Sequence, residues 1–279
     1  MVLRLARLAL PYTPQRFRCG RVHGFGHPQL VTFLQSLPSR RPLPDHAERT
    51  VYRDHPNLVH EVDLPPELGL PWSHIVVKRF GWRGIQHYFA SPLKRSRALK
   101  AYRTACHLLV SGLRTPLPLG VCEERRWGFV QYNMYATEAV TDAVTLQQYC
   151  ALLPDGRDGL EEVMRLVAAY TRRMHDSGLW HRDLVASNVL LTGPPGHRQV
   201  YLVDLNRARR VPYMPTLLRA IDLARLGWQE WLPAFCVLYS AERFSVTRLL
   251  WLMHLYHRWR TWRWHMRRVL KPLRARLRL

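Results

Sequence analysis

His181-Arg182-Asp183-Leu184-Val185-Ala186-Ser187-Asn188-Val189-Leu190-Leu191, followed by Tyr201-Leu202-Val203-Asp204, is the most informative part of this chain. It sets an Asp, an Asn after four intervening residues, and a second Asp closing a short apolar run. Phosphoryl transfer needs that order. One carboxylate receives or orients the acceptor's hydroxyl proton, while an amide and a second carboxylate hold the metal ions that neutralise the phosphates. Val189 to Leu191 and Val200 to Val203 read as short strands, joined as a hairpin by the turn Thr192-Gly193-Pro194-Pro195-Gly196. The hairpin predicts Asn188 and Asp204 at one end of a small sheet, near Asp183. A surface loop with Asp and Asn in ordinary turn roles is the plainer alternative, and the agreement of residue types, spacing and strands weighs against it.

At 279 residues the chain suits one large or two modest domains. A hydrophobic content of 47% and ten Trp exclude a disordered chain. Lys and Arg number 42 against 20 Asp and Glu, a net charge of +22 that draws nucleic acid, anionic lipid or another polyanion. The excess is localised: eleven basic residues and no acidic one follow Glu242, so half of the net charge sits on residues 243–279. Five scattered Cys without CxxC spacing argue against a zinc site or a disulfide framework and for a reducing compartment. Met1 to Leu10 does not read as a signal peptide, because Arg4 and Arg7 interrupt an already short apolar segment. No run reaches the ~18–20 apolar residues of a membrane span. A soluble or peripheral protein is expected.

Residues 1–45 are basic and broken by prolines. They read as an extension with one short helix over His27 to Leu37. Gly24-Phe25-Gly26 invites a phosphate-loop reading, but no strand precedes it, and a flexible connector is favoured. Thr50 to Arg53, Leu58 to Val62 and Ser73 to Phe80 read as strands. Lys78 closes the β-branched run Val76-Val77, where a lysine can pair with nucleotide phosphates. Pro92 to Gly112 reads as a helix and Arg126 to Tyr132 as another strand, leading into Met134 to Ala139. A small antiparallel sheet, one helix and a linker make the smaller lobe of a bilobed kinase, with backbone groups of Thr137, Glu138 and Ala139 offered to an adenine. Leu146 to Leu153, Gly159 to Ser177 and Met214 to Trp228 read as helices of a mainly helical second lobe. The predicted divisions are 1–45, 46–137, 138–242 and a basic aromatic region 243–279.

With these pieces placed, the chain resembles the Kdo/WaaP lipopolysaccharide kinase family. The likeness rests on Val76-Val77-Lys78-Arg79-Phe80, Ser111-Gly112-Leu113-Arg114-Thr115-Pro116, Met174 to Asp183, Val203-Asp204 and Ile221-Asp222-Leu223. It implies an α+β protein-kinase-like fold without an extended activation segment, and an ATP- and Mg²⁺-dependent kinase acting on a lipopolysaccharide core sugar. By that likeness Asp183 is the catalytic base, Lys78 holds phosphates, Asn188 and Asp204 bind Mg²⁺, and His181 and Asp222 support the loop structurally. A helix-surface carboxylate is the plainer reading of Asp222.

Only eighteen residues lead from Asp204 to Asp222, with no A-P-E element between them. That leaves no room for a peptide platform, and Arg207, Arg209 and Arg210 suit an anionic acceptor. Two departures favour the alternative of a catalytically impaired, kinase-fold binding protein. Leu70 to Cys122 contains no acidic residue, so no helix Glu pairs with Lys78; its place falls near Lys100, Ala101 or Tyr102. Nor is there a glycine loop between the first strands, so phosphate cover must come from backbone amides around Asp54 to Asn57.

From Leu255 an apolar stripe runs at helical spacing through Trp259, Trp262, Met266, Val269, Leu273 and Leu277, opposite Arg260, Arg263, Arg267, Lys271, Arg274 and Arg278. Such a helix lies well on an anionic lipid surface, at the inner face of a bacterial inner membrane on this reading. Packing of the tryptophans on the larger lobe is the competing possibility. Nucleic acid is disfavoured because no recognised binding motif accompanies the charge. Pro272 is expected to kink or end the helix.

Overall fold

The computed structural model describes residues 2–37, 48–53, 57–81, 92, 94–152, 159–227 and 231–276. The expected phosphate cover at Asp54 to Asn57 falls largely on residues 54–56, outside the described residues. The chain forms two compact units. The first contains Met1–Val144, Leu190–Gly193 and Gln199–Ala208; the second contains Thr145–Val189, Pro194–Arg198 and Arg209–Leu279. The mixed α and β content and the antiparallel sheet match the expected fold class.

The first unit starts with helix α1 (Val2–Ala9) and strands β1 (Gln15–Cys19) and β2 (Val22–Gly26), then α2 (Val31–Ser36). Strands β3 (Glu48–Arg53), β4 (Asn57–Asp63) and β5 (His74–Phe80) follow, then α3 (Arg97–Val110), β6 (Pro118–Arg126) and β7 (Phe129–Glu138). All seven strands make one antiparallel sheet in the order β1-β2-β6-β7-β5-β4-β3. Its core gathers Leu30, Leu34, Val62, Ile75, Val77, Leu119, Met134 and Ala136, apolar residues on one side of their strands and helix.

The N-terminal segment is therefore no connector. Gly24 sits opposite Cys122 in the β2–β6 ladder, and a Cβ there would come within 2.0 Å of the Val121 carbonyl oxygen. The glycines allow two backbones to approach and cradle no phosphate. The strand expected over Arg126 to Tyr132 is instead two strands meeting at a turn, where Trp127 and Gly128 have φ of 49° and 80°. Two successive positive φ angles suit a tight hairpin, and glycine supplies the second at little cost.

Helix α3 begins at Arg97 rather than Pro92, because the Ser96 side chain accepts the Leu99 N–H at 3.0 Å and caps it there. In the expected place of the helix Glu, Ala101 and Tyr102 are buried, and Tyr102 packs edge-on against Phe25 and Tyr135. A carboxylate there would be buried among aromatic rings, at a desolvation cost.

The second unit includes α4 (Leu146–Leu152), preceded by the short strand β8 (Val144–Thr145), and the long α5 (Leu160–Asp176). Helix α5 buries Val163, Met164, Val167, Ala168, Thr171 and Met174 along one face. It stops at Gly178, whose φ is 76° and whose missing Cβ would meet the Val211 carbonyl oxygen at 2.6 Å. Strand β9 (Leu179–Trp180) follows and pairs with β12 (Arg209–Arg210). Strands β10 (Val189–Thr192) and β11 (Gln199–Leu202), which apart from Val189 belong to the first unit, are the neighbours expected of the hairpin. Helices α6 (Thr216–Leu223), α7 (Leu232–Ser240) and α8 (Val246–Arg276) complete the chain. Helix α6 is shorter than expected, and Trp228 lies outside the described residues. Helix α8 passes Pro272, which does not end it. Its inner turns bury Leu249 and Met253, while every described side chain from Arg258 to Leu270 is exposed.

Candidate active site

In the first unit the period of two puts Ile75 and Val77 in the core and Lys78 on the opposite face of β5. The Lys78 ammonium lies 5.5 Å from the Phe80 ring centre and donates to Asp204 Oδ1 at 2.6 Å. Asp204 follows β11 with φ of 58° and leads into a short 3-10 turn over Leu205–Arg207 that packs on α3. Below it, the buried Thr115 hydroxyl donates to the Leu202 carbonyl at 2.8 Å, fixing the end of β11. The Asn206 amide also donates to Asp204 Oδ1. The carboxylate is thus held by a cation and an amide, both partly shielded from water.

Thr137 and Glu138 lie on the last turn of the β7 ladder, opposite Val76 and Ile75. The Glu138 N–H donates to the Leu117 carbonyl at 3.0 Å, and its carboxylate accepts the Leu117 N–H at 2.9 Å. That N–H is spent within the sheet, and Ala139 is the first position past the strand.

In the second unit the loop 181–188 is pinned from below. Asp222, on α6, is completely buried and accepts the His181 N–H at 2.8 Å and the Arg182 N–H at 2.9 Å. It is no surface carboxylate. Arg182 has φ of 68°, a left-handed conformation that a non-glycine residue holds only where its surroundings impose it. The His181 ring Nδ1 accepts the Asp183 N–H at 3.2 Å, and the Asn188 amide donates to the Asp183 carbonyl at 2.9 Å. Both ends of the Asp183–Asn188 spacing are therefore tied to each other.

Under Asp222 lies a buried polar network. His175 contacts Asp222 at 3.4 Å and the Tyr239 hydroxyl at 2.7 Å, and Arg219 bridges Tyr239 and Asp176. Burial holds the His175 pKa below its usual value, although Asp222 opposes that shift. The neutral ring can then bridge a hydroxyl and a carboxylate.

Sequence reasoning missed one residue here. Arg225, three positions beyond Asp222, donates from Nη2 to Asp183 Oδ1. The only advance signal was an arginine one helical turn after the supporting aspartate. The basic positions 209 and 210 are exposed on β12, and the Arg182 guanidinium stacks 5.1 Å above Trp180.

The sequence model of the lipopolysaccharide kinase (Kdo/WaaP) family matches residues 72–234, which include Lys78, Asp183, Asn188, Asp204, Asp222 and Arg225. The chain belongs to that family. It is 25% identical over 126 residues to the 3-deoxy-D-manno-octulosonic acid kinase of Mannheimia succiniciproducens, covering 45% of this chain and 50% of that protein. It is 30% identical over 123 residues to the lipopolysaccharide core heptose(I) kinase WaaP of Escherichia coli, covering 41% and 46% respectively. The chain thus spans about half the length of the curated relatives it matches. A solved structure, WaaP in complex with acyl carrier protein, shares the fold with a TM-score of 0.55 at 18% identity, covering 76% of this chain and 87% of that one.

The Asn188 amide and the Asp204 carboxylate are hard oxygen donors of the kind Mg²⁺ takes. Among the described residues no group of three or more His, Cys, Asp or Glu could hold a metal ion.

Proposed function

We propose that the chain is an ATP- and Mg²⁺-dependent kinase transferring the γ-phosphoryl group to a sugar hydroxyl of the lipopolysaccharide core or a lipid A precursor. The observation that carries this reading is the Lys78–Asp204 pair at 2.6 Å, a phosphate-binding cation beside a metal-binding carboxylate. Asp183 orients the acceptor hydroxyl and takes its proton, on a loop whose backbone Asp222 and His181 hold. Lys78 engages the nucleotide phosphates, Ala139 offers backbone groups to the adenine, and Asn188 and Asp204 hold Mg²⁺. When bound, that ion neutralises charge on the phosphates. Arg209 and Arg210, exposed on β12, attract an anionic glycolipid.

The outer turns of α8 support peripheral contact with an anionic bilayer, at the cytoplasmic face of the inner membrane. Trp259, Trp262 and Trp264 are 47%, 60% and 55% exposed there, with Arg263 and Arg268 stacked on Trp259 and Trp264. Arg and Trp together suit the headgroup layer. No helix of the described residues is long and apolar enough to cross a membrane.

The buried Ala101 and Tyr102 in place of a helix Glu favour one other reading, a kinase-fold protein that binds without turnover. One experiment separates the two. Purified protein is incubated with Mg-ATP and lipid A–core, and phosphate incorporation is followed for the wild type and Asp183→Ala. Transfer that disappears in the variant supports the kinase; absence of transfer in the wild type, with nucleotide affinity indifferent to Mg²⁺, supports the binding protein.

A further inference from the structure

The geometry points to Arg225 as a positioning residue for Asp183, held in place by Tyr256 on α8. This inference rests on the kinase reading above. Arg225 sits in the turn after α6, where its own N–H donates to the Asp222 carbonyl at 3.1 Å. One turn thus serves the loop twice: the Asp222 side chain fixes its backbone, and the Arg225 side chain fixes the Asp183 carboxylate.

The guanidinium is itself supported. Its Nη1 donates to the Tyr256 hydroxyl at 3.4 Å, and α6 packs against α8. Its Nε is buried with no hydrogen-bond partner among the described residues. A buried donor without a partner is costly, so this nitrogen gives no reason of stability for arginine at this position. A rigid fork that reaches a hydroxyl with one nitrogen and a carboxylate with another does. The arrangement makes the inner half of α8 part of the catalytic apparatus.

A base must point at the hydroxyl it serves, and small displacements of a reacting group cost up to ~100-fold in rate. Freeing Asp183 from Arg225 should therefore lower kcat and leave nucleotide binding alone. Turnover of lipid A–core with Mg-ATP is measured on the full chain for wild type, Arg225→Gln, Arg225→Lys, Tyr256→Phe, Asp183→Asn and the double variant Asp183→Asn/Arg225→Gln. Arg225→Gln is expected to lose ~10–100-fold in kcat with KM for ATP unchanged. Arg225→Lys should recover part of that loss, and Tyr256→Phe should lose a few-fold. In the Asp183→Asn background, Arg225→Gln should cost nothing further, because the two residues act as one unit.

An equal Arg225→Gln loss in both backgrounds overturns the inference, and so does an intact kcat with a raised KM for ATP. Should Arg225→Gln fail to fold, wild-type kcat in both Arg225→Lys and Tyr256→Phe overturns it instead. A wild type that transfers no phosphate rejects the kinase reading, and this inference with it; a wild type that works while these variants match it rejects the inference alone.

Discussion

Each compact unit sets one of the two candidate site aspartates against a cation, and the two pairs are built differently. In the first unit Asp204 meets Lys78, a single ammonium at the end of a strand. In the second, Asp183 meets Arg225, a planar fork that also reaches Tyr256. An ammonium on a flexible stem can exchange a carboxylate oxygen for a phosphate oxygen with little geometric cost. A guanidinium braced at two points keeps its partner where it is. The contrast fits a cation that engages the nucleotide in one unit and a cation that aims a base in the other.

Removing the bases of that comparison gives the largest effects. Asp183→Ala should lower phosphoryl transfer by ~10³-fold, the scale of a lost general base, with the thermal midpoint close to wild type. Lys78→Met should cost about 10²-fold through lost electrostatic stabilisation, and should raise KM for ATP as well. If Lys78→Met changed kcat alone while Arg225→Gln changed KM for ATP, the assignment of the two cations would be reversed. Steady-state kinetics varying each substrate separately decides it.

The first pair was legible in the sequence and the second was not. Lys78 sits in a run whose period of two shows which face it occupies, and the Asp–Asn–Asp spacing is local, so both survive without knowledge of packing. Helix α5 was legible for the same reason, through its apolar repeat. Strand β6 was not: Pro118, Gly120 and the charged run Glu123 to Arg126 break any alternation. It is nonetheless buried over its first six residues, because β2 and β7 flank it within the sheet and helices α2 and α3 pack against it. The β1–β2 hairpin likewise becomes a strand pair only once β6 supplies a ladder. Arg225 meets a partner 42 residues away, a contact that only the packing of α6 and its following turn defines.

Below the pairs, their supports should separate too. Asp222→Asn keeps the shape of the side chain but removes the charge that two backbone N–H groups and His175 share. A buried charge-assisted network of this kind should lose ~2–4 kcal/mol of stability. Chemical denaturation measures the loss directly. A smaller cost, with activity still falling, would show that the loop keeps its fold and loses only its aim.

The weakest effect tests the acid sensitivity of the unit that holds Lys78. His60, opposite Val77 in the β4–β5 ladder, is fully buried, and both ring nitrogens lack partners among the described residues. Burial first, and the nearby Arg79 guanidinium second, push its pKa down to about 4. The unfolded chain therefore takes up a proton from about pH 6.5 downward that the folded state refuses, so stability present above that pH is lost as pH falls toward 4. At pH 5 the loss from this residue should reach ~2 kcal/mol relative to pH 7.5. His175 contributes in the same direction, but Asp222 beside it can receive a protonated ring, which blunts its share. His60→Leu should accordingly flatten the acid side of the stability curve, measured by denaturant titration at the two pH values, more than any change at position 175. A curve unchanged by His60→Leu would mean that the ring takes up its proton inside the folded sheet and finds an acceptor there.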